Sequence, residues 1–182
     1  MTIDDDRFAH AVNIVLEQEG GYSDDKNDHG GPTMYGISTK FLMDCGVKFY
    51  FLNGEPPKLF DIKTLTIDNA KLIYRRCYWD KNNYNGINNL RLASAMLSLS
   101  VNLGSQTANL LLQNALNSLV IKRVTVDGYI GIKTLALVNT TNSQKLLDEL
   151  KVLAIEHYEH LVKENENLVC FLEGWKNRVN QL

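Results

Sequence analysis

Apolar residues recur at helical spacing along nearly the whole chain. Phe8, Ala11, Val12, Val15 and Leu16 repeat three and four positions apart and predict a helix over about residues 6–19 with one buried stripe. Asp4, Asp5 and Asp6 stand before it, suited to cap it and to favour its positive end. Ser38 is placed to cap a short helix through Cys45, closed by Gly46, and residues 47–65 with Pro56-Pro57 read as a loop. Thr66 or Asp68 opens the next helix, with Ala70, Ile73 and Cys77 inward, and Asn82 to Gly86 breaks the pattern. Residues 90–103 predict an apolar helix ending at Gly104, and Ser105 is placed to cap another through about Leu119. Val124 to Gly131 is a turn-rich connector, and Ile132 to Val138 a short helix. Asn142 or Ser143 starts a long helix through Leu146, Leu150 and Leu161, interrupted near residues 164–167. Phe171, Leu172, Trp175 and Val179 form the last stripe. The expected class is all-α, with no internal repeat and no low-complexity linker, so two lobes sharing one core are expected.

One carboxylate departs from the pattern. Glu19 lies four residues after Val15 and three after Leu16, on the edge of the apolar stripe. Gly20-Gly21 then stops the helix, leaving Glu19 at the negative end of its dipole. Apolar neighbours and dipole both disfavour the charged form, so the expected species is a protonated carboxylic acid, as general-acid cleavage of a glycosidic bond requires. The Gly-, Asn- and Asp-rich run from Gly20 to Ser38 reads as turns or a short hairpin. It carries Asp28, a second carboxylate in a polar setting where ionisation is expected, with Asp24 and Asp25 as competitors. Thr33 offers a hydroxyl that could orient a water, and could equally cap a helix. Tyr22 and Tyr35 flank the carboxylates and suit stacking on sugar rings.

Glu19-Gly20-Gly21-Tyr22, followed by Asp28-x-Gly30-Gly31-x-Thr33-x-x-Gly36-Ile37, resembles the N-terminal signature of glycoside hydrolase family 108, the lysozyme-like N-acetylmuramidases. Ile73-Tyr74-Arg75-Arg76-x-Tyr78-Trp79 is similar to that family's mid-chain helix. Ser100-Val101-Asn102-x-Gly104, Leu112-Gln113, Val126-Asp127-Gly128-Tyr129-Ile130-Gly131 and Phe171-Leu172-x-Gly174-Trp175-x-x-Arg178-Val179 resemble its C-terminal peptidoglycan-binding module. The resemblance implies a lysozyme-like helical fold with a small hairpin or loop carrying the catalytic Asp. It also implies a catalytic lobe at 1–90 and a helical peptidoglycan-binding lobe at 91–182. The implied activity is hydrolysis of the β-1,4 bond between N-acetylmuramic acid and N-acetylglucosamine. Glu19, Asp28 and Thr33 would be catalytic; Tyr22, Tyr35, Gly36, Asn102 and Gln113 would bind substrate. Asn102 and Gln113 could equally brace helices by hydrogen bonds. Ser98 stands where the family often has Asp, and Ile132 where it often has Pro. The alternative is a peptidoglycan-binding or assembly protein that keeps the fold without turnover.

Composition narrows the picture further. A net charge of −2 argues against nucleic acid and leaves no long-range attraction to an anionic wall, so binding has to be local. The Asp-rich loop fails as a calcium site: counting from Asp24 puts Lys26 and His29 at the third and sixth positions. His157 and His160 with Glu156 and Glu159 read as a solvated face, so neither metal nor cofactor is expected. Cys45, Cys77 and Cys170 read as small buried hydrophobes in a protein made in a reducing compartment. The acidic start has no basic-then-apolar signal pattern, and no run of about 18 apolar residues exists. The expectation is a monomer made in the cytoplasm that acts in the periplasm or cell wall. The resemblance supplies a route, a holin-like membrane protein.

Overall fold

A computed structural model describes residues 3–23, 32–45 and 59–182. Helix α4 (Leu90–Leu103) is the axis: every residue from Leu92 to Ser100 is buried, so this helix is enclosed on all sides rather than amphipathic. Asn89 starts it, its side chain accepting from the Leu92 backbone N–H at 2.9 Å. Helix α1 (Ile3–Glu19) packs along one side of α4 through Phe8, Ala11, Val12 and Val15, as its spacing predicts. Helix α5 (Ser105–Leu119) packs along another side, followed by α6 (Ile132–Thr140), α7 (Ser143–Glu164) and α8 (Val169–Gln181), with a short 3-10 turn at Glu166–Leu168. The last helix returns to the first half: Val179 is buried, and Arg91 donates to the Leu182 carbonyl at 2.8 Å.

A small antiparallel sheet completes the first half, in the order β1 (Tyr22–Ser23), β2 (Thr33–Met34), β3 (Ile37–Ser38). Tyr35 and Gly36 both take positive φ, the two-residue turn whose twist suits a hairpin. Ser38 accepts from the Phe41 N–H at 3.0 Å and starts α2 (Thr39–Asp44), as expected. A 3-10 helix at Leu59–Thr64 lies within the stretch expected to be loop. Thr66 caps α3 (Ile67–Tyr74), which runs into a π-helical turn at Arg75–Asp80. Such turns re-aim side chains and are frequent at functional sites.

Three local expectations are corrected. Helix α1 already includes Asp4–Asp6, and Asp4 and Asp5 bind Arg75 rather than acting as caps. Gly104, not Ser105, is the N-cap of α5; the Ser105 hydroxyl accepts from Asn82 at 3.0 Å instead. Cys45 and Cys77 form a disulfide with Cα atoms 6.1 Å apart, joining the end of α2 to the π turn, and Cys170 is exposed. Thiols 32 positions apart carry no motif, and only the fold brings them together. Trp79 is wholly buried, as expected of a core residue, while Trp175 is half-buried and stacks on Tyr158 at 4.8 Å.

A buried polar network ties the two halves. The Tyr84 hydroxyl bonds the Ser100 hydroxyl and donates to Asn109 Oδ1 at 2.6 Å. Asn109 in turn donates to Asn82 at 3.0 Å and to the Gly128 carbonyl at 2.9 Å. Each member has partners, so the network specifies packing rather than penalising it. Burial pushes the Tyr84 phenol well above its ordinary range, and it stays a neutral donor.

Candidate active site

Glu19 is the last residue of α1, and Gly20 follows with φ +70, so the chain turns away immediately. The side chain is 19% exposed. The β2–β3 turn lies against it: a Cβ on Gly36 would fall 2.6 Å from Glu19 Oε2. A φ of +73 favours glycine there, and any larger residue would also displace the Glu19 side chain. Tyr35 holds its own left-handed conformation with help from Tyr74, whose hydroxyl donates to the Tyr35 carbonyl at 2.6 Å. Tyr74 and Tyr78 come from the junction of α3 and the π turn. Burial first, and then the nearby charge of Glu19, push both phenols far above their ordinary range, so they remain protonated donors. Phe41 stacks on Tyr78 with ring centroids 5.3 Å apart.

The group that sequence reasoning missed is Arg178, on α8 and 159 positions from Glu19. It donates to Glu19 Oε1 at 2.8 Å and also to Asn102 Oδ1. Asn102 is itself held on α4, donating to the Ser98 carbonyl at 2.8 Å. In this conformation Glu19 is paired with a guanidinium, a neighbour the expectation of a neutral acid did not include. Arg178 falls inside the motif quoted for the end of the chain, but nothing in sequence spacing ties α8 to α1. Ser98 is buried and donates to Gln18 Oε1 at 3.1 Å, one residue from the acid.

The remaining predicted residues divide. Thr33 lies on β2, paired with Ser23 and Ser38, and is half-buried. Tyr22 is 42% exposed on the edge strand, with Lys63 over its ring at 5.1 Å. Asp28, with its competitors Asp24 and Asp25, lies outside the described residues, as does His29. Gln113 does not join Glu19. It is fully buried, accepts from the Asp127 and Gly128 backbone N–H groups, and donates to Asp127 and to the Tyr129 carbonyl. Its whole hydrogen-bonding capacity is used by the 127–129 turn, which favours the bracing role. Among the described residues no group of His, Cys, Asp and Glu is placed to hold a metal ion.

A helical body with a small hairpin pressed against a helix-end glutamate and phenols around that acid is the architecture expected of a lysozyme-like glycoside hydrolase. The family model Glycosyl hydrolase 108 matches residues 12–104, and Predicted Peptidoglycan domain matches residues 107–180. The chain belongs to the glycosyl hydrolase 108 family, whose activity is that of a cell-wall muramidase. Among solved structures it is similar to the structure of Brucella abortus SagA, with 28% identity and a TM-score of 0.76 over 97% of this chain and 91% of that one. No curated protein matches the chain.

Proposed function

We propose that Glu19 is the general acid that cleaves the β-1,4 bond between N-acetylmuramic acid and N-acetylglucosamine. Its proton goes to the glycosidic oxygen as the bond to the anomeric carbon breaks. Water then adds to that carbon and gives up its own proton. The observation that carries this reading is the cluster of Gly36, Tyr74, Tyr78 and Arg178 around one half-buried carboxyl. Asp28 stabilises the cationic sugar or activates the water, and Thr33 helps to hold that water. Tyr22 and Tyr35 line the path of the sugar.

Arg178 is a positioning residue in this scheme. It holds the Glu19 rotamer through its hydrogen bond to Oε1. The protein acts as a monomer at the cell wall. No helix among the described residues is long and apolar enough to cross a membrane. A separate holin-like protein carries the chain to the wall in this scheme. The Cys45–Cys77 bond suits an oxidising compartment such as the periplasm.

Release of new reducing sugar from purified peptidoglycan tests the reading. Wild-type protein is expected to release it and Glu19→Gln to lose at least a hundred-fold in rate while folding normally, because the amide has no proton to transfer. Asp28→Asn is expected to lower kcat more than it raises KM. Turnover by Glu19→Gln near the wild-type rate overturns the assignment.

A further inference from the structure

A groove of about 770 Å³ shares no residue with the Glu19 cluster. It lies in the second half, between the connector after α5 and the start of α6. Lys122, Arg123 and Lys133 line it, and none of the three forms an ion pair or hydrogen bond among the described residues. Three unpaired cations gathered on one face run against the net negative charge of the chain. The apolar side chains beside them are unusually exposed for a folded domain: Ile132 87%, Tyr129 67% and, next to Lys122, Ile121 103%. The first turn of α6 opens onto the same groove, with Gly131 as an N-cap that has no side chain to satisfy it.

The groove is built rather than incidental. Four amide side chains, spaced along one face of α5, pin the connector beneath it. Gln106 donates to the Asp127 carbonyl at 3.0 Å, and Asn109 to the Gly128 carbonyl at 2.9 Å. Gln113 holds residues 127–129, and Asn117 bonds both the N–H and the carbonyl of Val124 at 2.9 Å. The lining acid, Asp127, is turned to internal use: it accepts from Gln113 and from the Tyr129 N–H, each at 2.9 Å. What remains for a ligand is a preformed trough with cations along it and aliphatic and aromatic surface between them.

We infer that this groove binds the carboxylate-bearing peptide stem of peptidoglycan. The inference rests on the muramidase reading for the identity of the polymer, but concerns a site distinct from the chemistry. Stem peptides present carboxylates beside small apolar side chains, which fits Lys122, Arg123 and Lys133 set around Tyr129 and Ile132. A groove for a bare phosphate polymer would need neither the apolar side chains nor an acid on its wall. Charge here supplies the local attachment that the overall charge denies.

The test compares the wild-type chain with Arg123→Glu/Lys133→Glu, both changes lying on exposed positions away from Glu19. Co-sedimentation with intact sacculi is expected to weaken at least ten-fold, while reducing-sugar release from glycan strands stripped of peptide stays within two-fold. Unchanged binding to sacculi overturns the proposal. Equal loss on stripped strands overturns it in favour of a sugar-reading groove. Competition by polyphosphate as strong as by soluble stem peptide overturns it in favour of a general polyanion site. Absence of turnover by the wild type on stripped strands and sacculi alike sinks the muramidase reading instead, and the sedimentation arm still reports on the groove.

Discussion

The ion pair between Glu19 and Arg178 joins the first helix to the last, and its strength can be measured without substrate. At 2.8 Å and an effective dielectric near 20, the gross attraction is about 6 kcal/mol. Desolvation of two side chains that are 19% and 27% exposed offsets most of this. About 2 kcal/mol remains, the usual size for a charge-assisted hydrogen bond. Glu19→Leu and Arg178→Met each leave the partner largely buried without its opposite charge, although Arg178 keeps its bond to Asn102. The double variant leaves neither. Leucine is preferred to glutamine because an amide would still accept from Arg178. Thermal unfolding of the four proteins, at equal pH and salt, closes the cycle. The double variant is expected to be more stable than the sum of the single losses by about 2 kcal/mol, or roughly 4–8 °C in Tm for a chain of this size. Losses that add to within about 0.5 kcal/mol would refute the coupling and make the contact incidental.

Removing the disulfide with Cys45→Ala/Cys77→Ala opens a loop of 32 positions and is expected to cost about 3–4 kcal/mol, read as a Tm drop that reductant reproduces in the wild type. An unchanged Tm in both tests would mean the bond contributes nothing. Gly36→Ala places a methyl 2.6 Å from the Glu19 carboxyl on a backbone with φ +73. It should destabilise by about 1–3 kcal/mol and cut reducing-sugar release at least ten-fold, and wild-type behaviour would show that the turn is not pressed on the acid. Asp127 is held below the ordinary carboxylate range, chiefly by the hydrogen bond from Gln113 and then by that from the Tyr129 N–H. Its contribution is therefore full above the unfolded value of 3.8 and is lost as pH falls through the lower folded one. The protection of the Tyr129 amide, corrected for intrinsic exchange at each pH, should fall below about pH 4 in the wild type and be low at every pH in Asp127→Ala; protection that does not change with acid would contradict this.

Much of this architecture was legible in the sequence because the helices obey local rules. Thr66, Asn142 and Ser38 cap where their positions suggest, and the stripe from Phe8 to Val15 is buried as its period requires. Glu19 stood out for a local reason as well, a carboxyl at the edge of an apolar face with glycines after it. What escaped was long-range. Arg178 reaches Glu19, and Cys45 reaches Cys77, only through tertiary packing. Gln113 looked like a ligand residue because it is polar among apolar neighbours. Its hydrogen bonds all go to residues 127–129, which favours the bracing reading of the two. Asn102 lay between the two readings, and it is now tied to the acid through Arg178.

The return of α8 bears on how such chains can evolve and be re-engineered. The two family segments meet near Gly104, which invites treating them as interchangeable beads. Yet the second segment donates Arg178 to the acid of the first, and the Tyr84–Asn109 network crosses the same seam. A chimera that swaps the second segment for an unrelated one would lose the cation that orients Glu19 and the Asn109 amide to which Asn82 and Tyr84 bond in the interior. Recombination at this seam is therefore constrained to donors that bring back a guanidinium and a buried amide at matching places, and the two halves must drift together rather than apart.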